Sequence, residues 1–471
     1  MHTKKKIRIS QCMIVRNEEK NIRRALSWGK DMMWEQIVVD TGSTDRTLEI
    51  AEEMGAKVFF FQWKDDFAAA KNYAIDQAKG DWIAFLDADE YMTPDIAEKL
   101  QIAIEITDGK KMDGILTGLQ NLNDQGEIFS CWSQVRVFRN HPDIRYRRRI
   151  HEYLASVSGR RLRIEGMVSE LSFYHTGYQE RQMEVKKRSR RNRKMILEEL
   201  KEHPDDCEMM GYMGDDCYSH QEEEEAKAWY LKSVQAMPYP LEKIDLRSSL
   251  TFTNLLSIMT DDLIERRKTL SEQECQACLD EIYKIYEKAV TLLPEDADFD
   301  YVMGLFFAAV GQTEGGARHL EASVQKLETY GCDGKAVFVS SNRLKAYHVL
   351  VLCCYELGEA QKCAVYATSY LQYDKYGMEE LARLLKILVP RDSQDIRQNQ
   401  ELLLYFSKLY DFSSLKDLLF LIKAAEGSGC KNFASFLTNQ FFTKEQQIQL
   451  RLTQHFDEKK EKTVKSETEV D

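Results

Sequence analysis

The chain has 471 residues, 43% hydrophobic and 30% charged, a balance that allows a sizeable core and argues against a fibrous or disordered molecule. Lys and Arg number 65 against 77 Asp and Glu, a net charge of −12 that speaks against a general nucleic-acid coat. Only 23 Gly and 7 Pro are present, which excludes collagen-like and Pro-rich chains and predicts a largely helical protein. No run of about 18 apolar residues occurs, so no membrane span is predicted. The basic N-terminus meets Arg16, Asn17, Glu18 and Glu19 instead of an apolar stretch, so it does not read as a signal peptide. The 11 cysteines, scattered and odd in number, read as reduced thiols in a cytoplasmic protein. Cys275 and Cys278 form one Cys-x-x-Cys without a second ligand pair; they read as ordinary helix cysteines before a zinc site.

In chain order, residues 7–15 read as a strand, 17–33 as a helix and 36–40 as a short, nearly continuous apolar strand, the pattern of a sheet covered on both faces. Thr41-Gly42-Ser43-Thr44-Asp45 turns into a helix reaching Met54, with Ser43 or Thr44 as the expected cap. A third strand (57–61), a helix (67–79) stopped by Gly80 and a fourth strand (82–86) follow, then strands at 114–119 and 134–138. This alternation predicts a parallel α/β sheet with helices on both faces and ligands at the carboxyl ends of its strands. From about residue 183 nearly everything reads as helix. A weak repeat runs from Met210 to Pro238, from Tyr286 to Leu320 and from Tyr347 to Tyr370, and fits helix pairs of tetratricopeptide (TPR) type. The expected division is an α/β domain over 1–182, TPR-like helices over 183–390, and C-terminal helices over 391–471 with a disordered charged tail from about 457.

Asp87-Ala88-Asp89 closes the fourth strand. In an extended segment the two carboxylates point the same way, an arrangement suited to Mg²⁺ or Mn²⁺ with diphosphate oxygens completing the shell. Such a cation would stabilise charge on a departing phosphate. Asp40 ends a buried strand, where an acid must be paired or used, and could accept from a ribose hydroxyl or a base. Asp45 reads as a helix-terminus acid, and Glu18 or Glu19 as acids favoured electrostatically at a helix start.

Taken together, Cys12–Glu19, Ile37–Asp45, Asp65–Asn72 and Phe85–Glu90, in this order and spacing, resemble the nucleotide-sugar domain of family 2 glycosyltransferases, which have the GT-A fold. The resemblance covers roughly residues 7–180. With TPR-like helices behind it, the layout is similar to that of sublancin-type peptide S-glycosyltransferases and related bacterial protein glycosyltransferases. It implies an inverting enzyme that uses a nucleoside-diphosphate sugar, usually UDP-linked, with a divalent metal (Mn or Mg). By the family pattern, Glu18 and Asp40 would contact the uridine. Asp66, Lys71 and Asn72 would line the nucleotide pocket, and Asp87 and Asp89 would hold the metal, Asp89 most directly. The family places an acid after the metal motif as base and a histidine near the domain's end as a further ligand. Glu152 and His175 occupy those positions, with Asp66 and Glu90 as rival bases and His151 able to share either role.

Two basic clusters remain. Arg145, Arg147, Arg148 and Arg149 lie where an arginine could clamp the diphosphate; Lys186 to Lys194 reads as a solvated helix face. The helices would supply a groove for a peptide or protein acceptor. An envelope-glycan or lipid-linked acceptor, met by peripheral membrane contact, is the enzyme alternative, and a non-catalytic TPR scaffold the second. No nucleic-acid partner is expected, and a homodimer is left open.

Overall fold

A computed structural model of the chain describes residues 6–176, 190–238, 241, 246–332, 335–389, 391–392 and 394–449. The chain forms two compact units, Met1–Ala236 and Met237–Asp471.

The first unit is built on a sheet in which β1 (Ile9–Val15), β2 (Glu35–Asp40), β3 (Lys57–Phe60) and β4 (Trp82–Phe85) run parallel in the order β3-β2-β1-β4. Helices α1 (Ile22–Ser27), α2 (Thr47–Glu53) and α3 (Phe67–Gln77) connect them. The apolar run in β2 has the expected cause. Ile37 and Val39 pack with Ala68, Ala74 and Ile75 of α3, while Val38 packs with Ile22, Ala25 and Leu26 of α1 and Ile50 and Ala51 of α2. Gly80 follows α3 because the chain there passes so close to β1 that a Cβ would sit 2.8 Å from the Ser10 amide nitrogen.

The expected helix at 17–33 contracts to α1. Asn17 is left-handed (φ 59°), and the amides of Asn17, Glu18 and Glu19 donate to Ser43 Oγ (2.9 Å), Thr47 Oγ1 (2.7 Å) and Asp45 Oδ2 (3.1 Å). These bonds tie residues 17–19 to the loop after β2 and keep them out of a helix. Neither Ser43 nor Thr44 caps α2. Arg46 is the N-cap residue, and the Asp45 carboxylate accepts from the Thr47 amide at 3.0 Å.

Beyond β4 come β5 (Glu90–Tyr91), α4 (Pro94–Gly109), β6 (Gly114–Leu122), β7 (Ile128–Arg139), β8 (Ile144–Arg147), β9 (Tyr153–Ser156), β10 (Ile164–Gly166) and β11 (Ser172–His175). The sheet order is β3-β2-β1-β4-β7-β6-β11-β5, with β10 also on β6; β8 and β9 form a separate ribbon. The sheet is mixed, not wholly parallel: β7 is antiparallel to β4 and β6. Only residues 123–127 separate β6 from β7, too few for a parallel crossover. The sequence reading omitted α4, which packs Ala97, Leu100, Ala103 and Ile104 against Trp82, Ile115 and Phe173.

Helices α5 (Arg191–Glu202), α6 (Cys207–Ser219) and α7 (Glu223–Ala236) complete this unit. The second unit contains α8 (Leu246–Arg266), α9 (Glu272–Leu292), α10 (Asp298–Ala309), α11 (Thr313–Tyr330), α12 (Val337–Ser341), α13 (Arg343–Glu356), α14 (Ala360–Tyr373), α15 (Met378–Leu388), α16 (Ile396–Phe406), α17 (Leu415–Gly427) and α18 (Lys431–Phe441). Pairs α6–α7, α10–α11 and α13–α14 fall on the weak sequence repeat. A further pair, α17–α18, shares their turn: in each, the residue two before the second helix is left-handed (Gln221 φ 62°, Gly311 φ 81°, Gly358 φ 71°, Gly429 φ 86°). The shared turn explains why glycine recurs there. Cys275 and Cys278 lie half-buried on α9. The expected tail and Lys186, Lys187 and Arg188 fall outside the described residues. Among the described residues, no helix is long and apolar enough to cross a membrane.

Candidate active site

The carboxyl ends of β1, β2 and β4 share one sheet edge. Because β7 reverses direction between β4 and β6, the ends of β6 and β11 reach that same edge. Strand direction therefore brings Asn121 and His175 to the side where Asp40 and Asp87 lie.

The segment after β4 is a turn, not an extended strand end: the Glu90 amide donates to the Asp87 carbonyl at 3.0 Å. Asp87 and Asp89 consequently face different partners. Asp87 lies 2.9 Å from the Arg136 guanidinium and 3.5 Å from Lys71 Nζ. Arg136 also pairs with buried Glu90, whose second oxygen accepts from the Asp87 amide at 3.1 Å. Lys71 reaches from α3 to Glu152 Oε1 at 2.6 Å, its ammonium 5.2 Å from the rings of both Phe85 and Tyr146. This makes a buried network of two cations and three carboxylates under the sheet edge. Burial works to lower the Lys71 pKa, but Asp87 and Glu152 outweigh it and hold the ammonium above its ordinary value. Burial likewise opposes ionisation of Asp87, yet Lys71 and Arg136 prevail and hold it well below the usual carboxylate range. For Glu90 burial wins, aided by Asp87 and Asp89, and pushes the carboxyl up to about 7.

Asp89 faces His175, with Oδ2 3.4 Å from Nε2. His175 Nδ1 is 2.8 Å from Asn121 Oδ1, while the Asn121 amide nitrogen donates to Ser130 Oγ at 2.9 Å. That assignment puts a hydrogen on Nδ1 and aims Nε2 at the carboxylate. A lone pair there would repel Asp89, so the geometry suits a proton or a cation at Nε2. Burial would lower the imidazole pKa, but Asp89, with Glu90 and Asp87 behind it, raises it. The Asp89 carbonyl is held by the Thr176 amide at 3.1 Å. Among the described residues, the ligand atoms of Asp87, Asp89 and His175 are not gathered within 4.8 Å of one another. The donor set of Asp89 and His175 fits a divalent cation, with Asp87 beside it but committed to Arg136 and Lys71.

The other predicted residues have structural partners. Asp40 accepts from the Gly42 amide at 3.0 Å and the Ser43 amide at 3.0 and 3.1 Å. Glu18 accepts from Asn21 Nδ2 at 2.9 Å. Asp66 caps α3 through the Ala69 amide (2.8 Å), and Asn72 makes two bonds to the Tyr146 backbone (3.0 and 2.9 Å). Asp66, Lys71 and Asn72 thus lie on one helix, with Lys71 turned to the carboxylates. Of the basic cluster, Arg145 pairs with Asp76, Arg148 with Asp206 and Glu208, and Arg149 with Glu202. Arg147 is exposed.

Sequence reasoning assigned no role to Arg136, Asn121 or Tyr146. The signal for the first two was an arginine and an asparagine inside apolar strands, where each needs a partner. Tyr146 is buried with its hydroxyl unpartnered, and burial pushes its phenol up to about 12.

The mixed sheet, with helices on both faces and acids at its carboxyl edge, resembles the GT-A fold of glycosyltransferases. Residues 10–109 match the family model described as Glycosyl transferase family 2. A TPR repeat-containing protein of Synechococcus elongatus is 31% identical over 277 residues, covering 57% of this chain and 67% of that protein. The SPbeta prophage-derived glycosyltransferase SunS of Bacillus subtilis is 27% identical over 224 residues, covering 47% of this chain and 52% of SunS. The crystal structure of S. aureus TarS 1-349 aligns with TM-score 0.33 and 17% identity, over 60% of this chain and 91% of that one. The matched region thus spans about two thirds of the cyanobacterial relative and about half of SunS. The chain carries a glycosyltransferase family 2 domain over residues 10–109, and this domain with its glycosyltransferase homologues supports glycosyltransferase activity.

Proposed function

We propose that this enzyme moves a sugar from a UDP-linked donor to a peptide or protein acceptor, with inversion at the anomeric carbon. The observation that carries the reading is the Asp89–His175 pair. Its imidazole is oriented by Asn121, and it stands beside the Asp87–Arg136–Lys71–Glu152 network at the carboxyl edge of the sheet.

Asp89 and His175 would hold a divalent metal, Mn or Mg, with Asp87 next to them; when bound, the metal supplies positive charge against the departing diphosphate. The uridine would lie against Glu18 and Asp40 on the loops after β1 and β2, and Asp66, Lys71 and Asn72 would flank it from α3. Glu152 would take the proton of the attacking hydroxyl or thiol, a role worth about 10²–10⁴ in rate. Lys71 has three donors, and Asp87 and Glu152 use two of them, so it keeps the base oriented while tying it to the metal side of the site. The sugar domain would be residues 1–182, and the acceptor would dock on the helical repeats over 183–390. Stacked helix pairs present extended surfaces suited to a chain-like partner. The enzyme would work in the cytoplasm.

The test is donor turnover by the full chain with Mn²⁺ and a panel of UDP-sugars. At least one should release UDP, and Asp89→Asn should slow that release at least 100-fold, on the scale of removing one electrostatic stabiliser. No turnover of any donor, or an unaffected Asp89→Asn, overturns the reading.

A further inference from the structure

The hairpin loop between β8 and β9 ends in Glu152, and nothing in its sequence fixes its shape. Residues 148–152 contain no glycine, yet Arg148 (φ 69°) and His151 (φ 52°) are left-handed. Non-glycine residues persist in that region where surrounding structure holds them.

What holds them comes from two sides. From the sheet side, the Phe67 amide at the start of α3 donates to the Arg149 carbonyl at 2.8 Å. From the helical side, both left-handed residues are gripped by α6. Arg148 pairs with Asp206 (2.9 Å) and Glu208 (2.5 Å) at the start of α6, and the His151 ring lies flat on Tyr212, centroids 3.5 Å apart and planes 1° from parallel. Helix α5 adds buried Glu199, which accepts from the Arg149 amide at 2.9 Å, and Glu202, which pairs with the Arg149 side chain. Every residue of this clamp belongs to the compact unit Met1–Ala236.

We infer that Tyr212 and Glu208 are positioning residues for glycosyl transfer: through His151 and Arg148 they fix the loop that aims Glu152. The inference rests on the reading of Glu152 as base. Helices α5 and α6 are then part of the catalytic apparatus, whatever the later repeats bind. Asp206 also caps α6 through the Met209 amide (3.0 Å), so its replacement would confound positioning with helix loss.

The experiment is a double-mutant cycle in the full chain. UDP release with Mn²⁺ is followed for UDP-glucose, UDP-galactose and UDP-N-acetylglucosamine, and the donor that the parent turns over fastest is used. Tyr212→Ala should lower kcat about 10- to 100-fold, in line with a base displaced by about 1 Å, and leave the donor KM within about twofold. Tyr212→Phe, which keeps the stacked ring, should restore kcat to within about threefold. Glu208→Gln should slow kcat in the same direction and serves if Tyr212→Ala does not fold. In a Glu152→Gln background the Tyr212→Ala or Glu208→Gln effect should shrink to about twofold, because a misplaced residue that no longer takes a proton has nothing left to lose. If Glu152→Gln alone leaves kcat unchanged, the base reading fails and this inference falls with it. If Glu152→Gln slows the enzyme but neither positioning variant does, or their effects persist undiminished in that background, the positioning inference alone is overturned. A parent that turns over none of the three donors sinks the donor reading and the inference together.

Discussion

Replacing Arg136 by methionine tests the buried network directly. Arg136 is 6% exposed and Glu90 1%. Without the guanidinium, the contacts described for Glu90 reduce to the Asp87 amide at 3.1 Å, and its carboxyl, already pushed up by burial, must either keep an uncompensated charge beside Asp87 or take up a proton. Asp87 keeps Lys71, and its side chain is 37% exposed, so it contributes less. Removing one partner of a buried ion pair destabilises by about 3–5 kcal/mol because the other charge is left uncompensated. In a unit of this size each kcal/mol moves the midpoint by about 2–4 °C, so Arg136→Met should lower the melting temperature of the first unit by about 10 °C. Calorimetry that resolves the two units would read it. The double variant Arg136→Met with Glu90→Gln removes both charges and should recover most of the loss, since a pair replaced on both sides by neutral groups can be close to neutral overall. A shift under about 2 °C in the single variant, or a double variant no more stable than the single, would refute the view that Arg136 compensates Glu90.

Two further outcomes can be measured. In the second unit, burial opposes ionisation of Asp417, but Lys375, Tyr376 and the Asp411 amide prevail and bring its carboxyl down to about 2. A lowered folded pKa stabilises above the unfolded value near 4 and is lost as pH falls through 2. Asp417→Asn should therefore destabilise by about 2 kcal/mol at pH 7, and urea titrations should show that deficit closing between pH 4 and 2; a deficit independent of pH would count against it. Asn121→Ala removes the acceptor that orients His175, and titration with Mn²⁺ should show affinity weakened about 10- to 100-fold, whereas unchanged affinity would remove Asn121 from any metal role.

The parallel half of the sheet was legible because β1, β2 and β4 are buried on both faces. Val38 and Val39 have opposite neighbours, so the run 36–40 could not alternate and stood out. The helix pairs were legible where small residues mark close approach, as at Gly304, where a Cβ would sit 2.9 Å from the Leu320 amide nitrogen. The short strands were not: β5 is two residues long and exists through pairing with β11, more than eighty positions away. For the site, sequence named the acids but not how they are held. Asp87 and Asp89 sit two apart, yet they diverge because a turn bond between Asp87 and Glu90 replaces the extended geometry that the spacing suggested. Arg136 and Asn121 come from strands whose neighbours are set by topology, which local pattern does not encode.

That topology also accounts for the charge at the sheet edge. Lys71 and Arg136 face Asp87, Glu90 and Glu152, and Asp89 beside them faces His175, so two fixed cations stand among four carboxyl groups. Even with Glu90 held up to about 7, the carboxyl groups outnumber the fixed cations where most of the side chains are out of water. An arrangement meant only for stability would balance or omit them, since apolar packing of the same volume is often as stable as a buried ion pair. The two cations are placed so that Arg136 meets Glu90, Lys71 meets Glu152, and both share Asp87. Asp89 is left as the carboxylate whose described ion partner is a histidine nitrogen in place of Lys71 or Arg136. This division of partners, more than the Asp-x-Asp spacing, makes Asp89 the point at which a divalent cation would relieve the site.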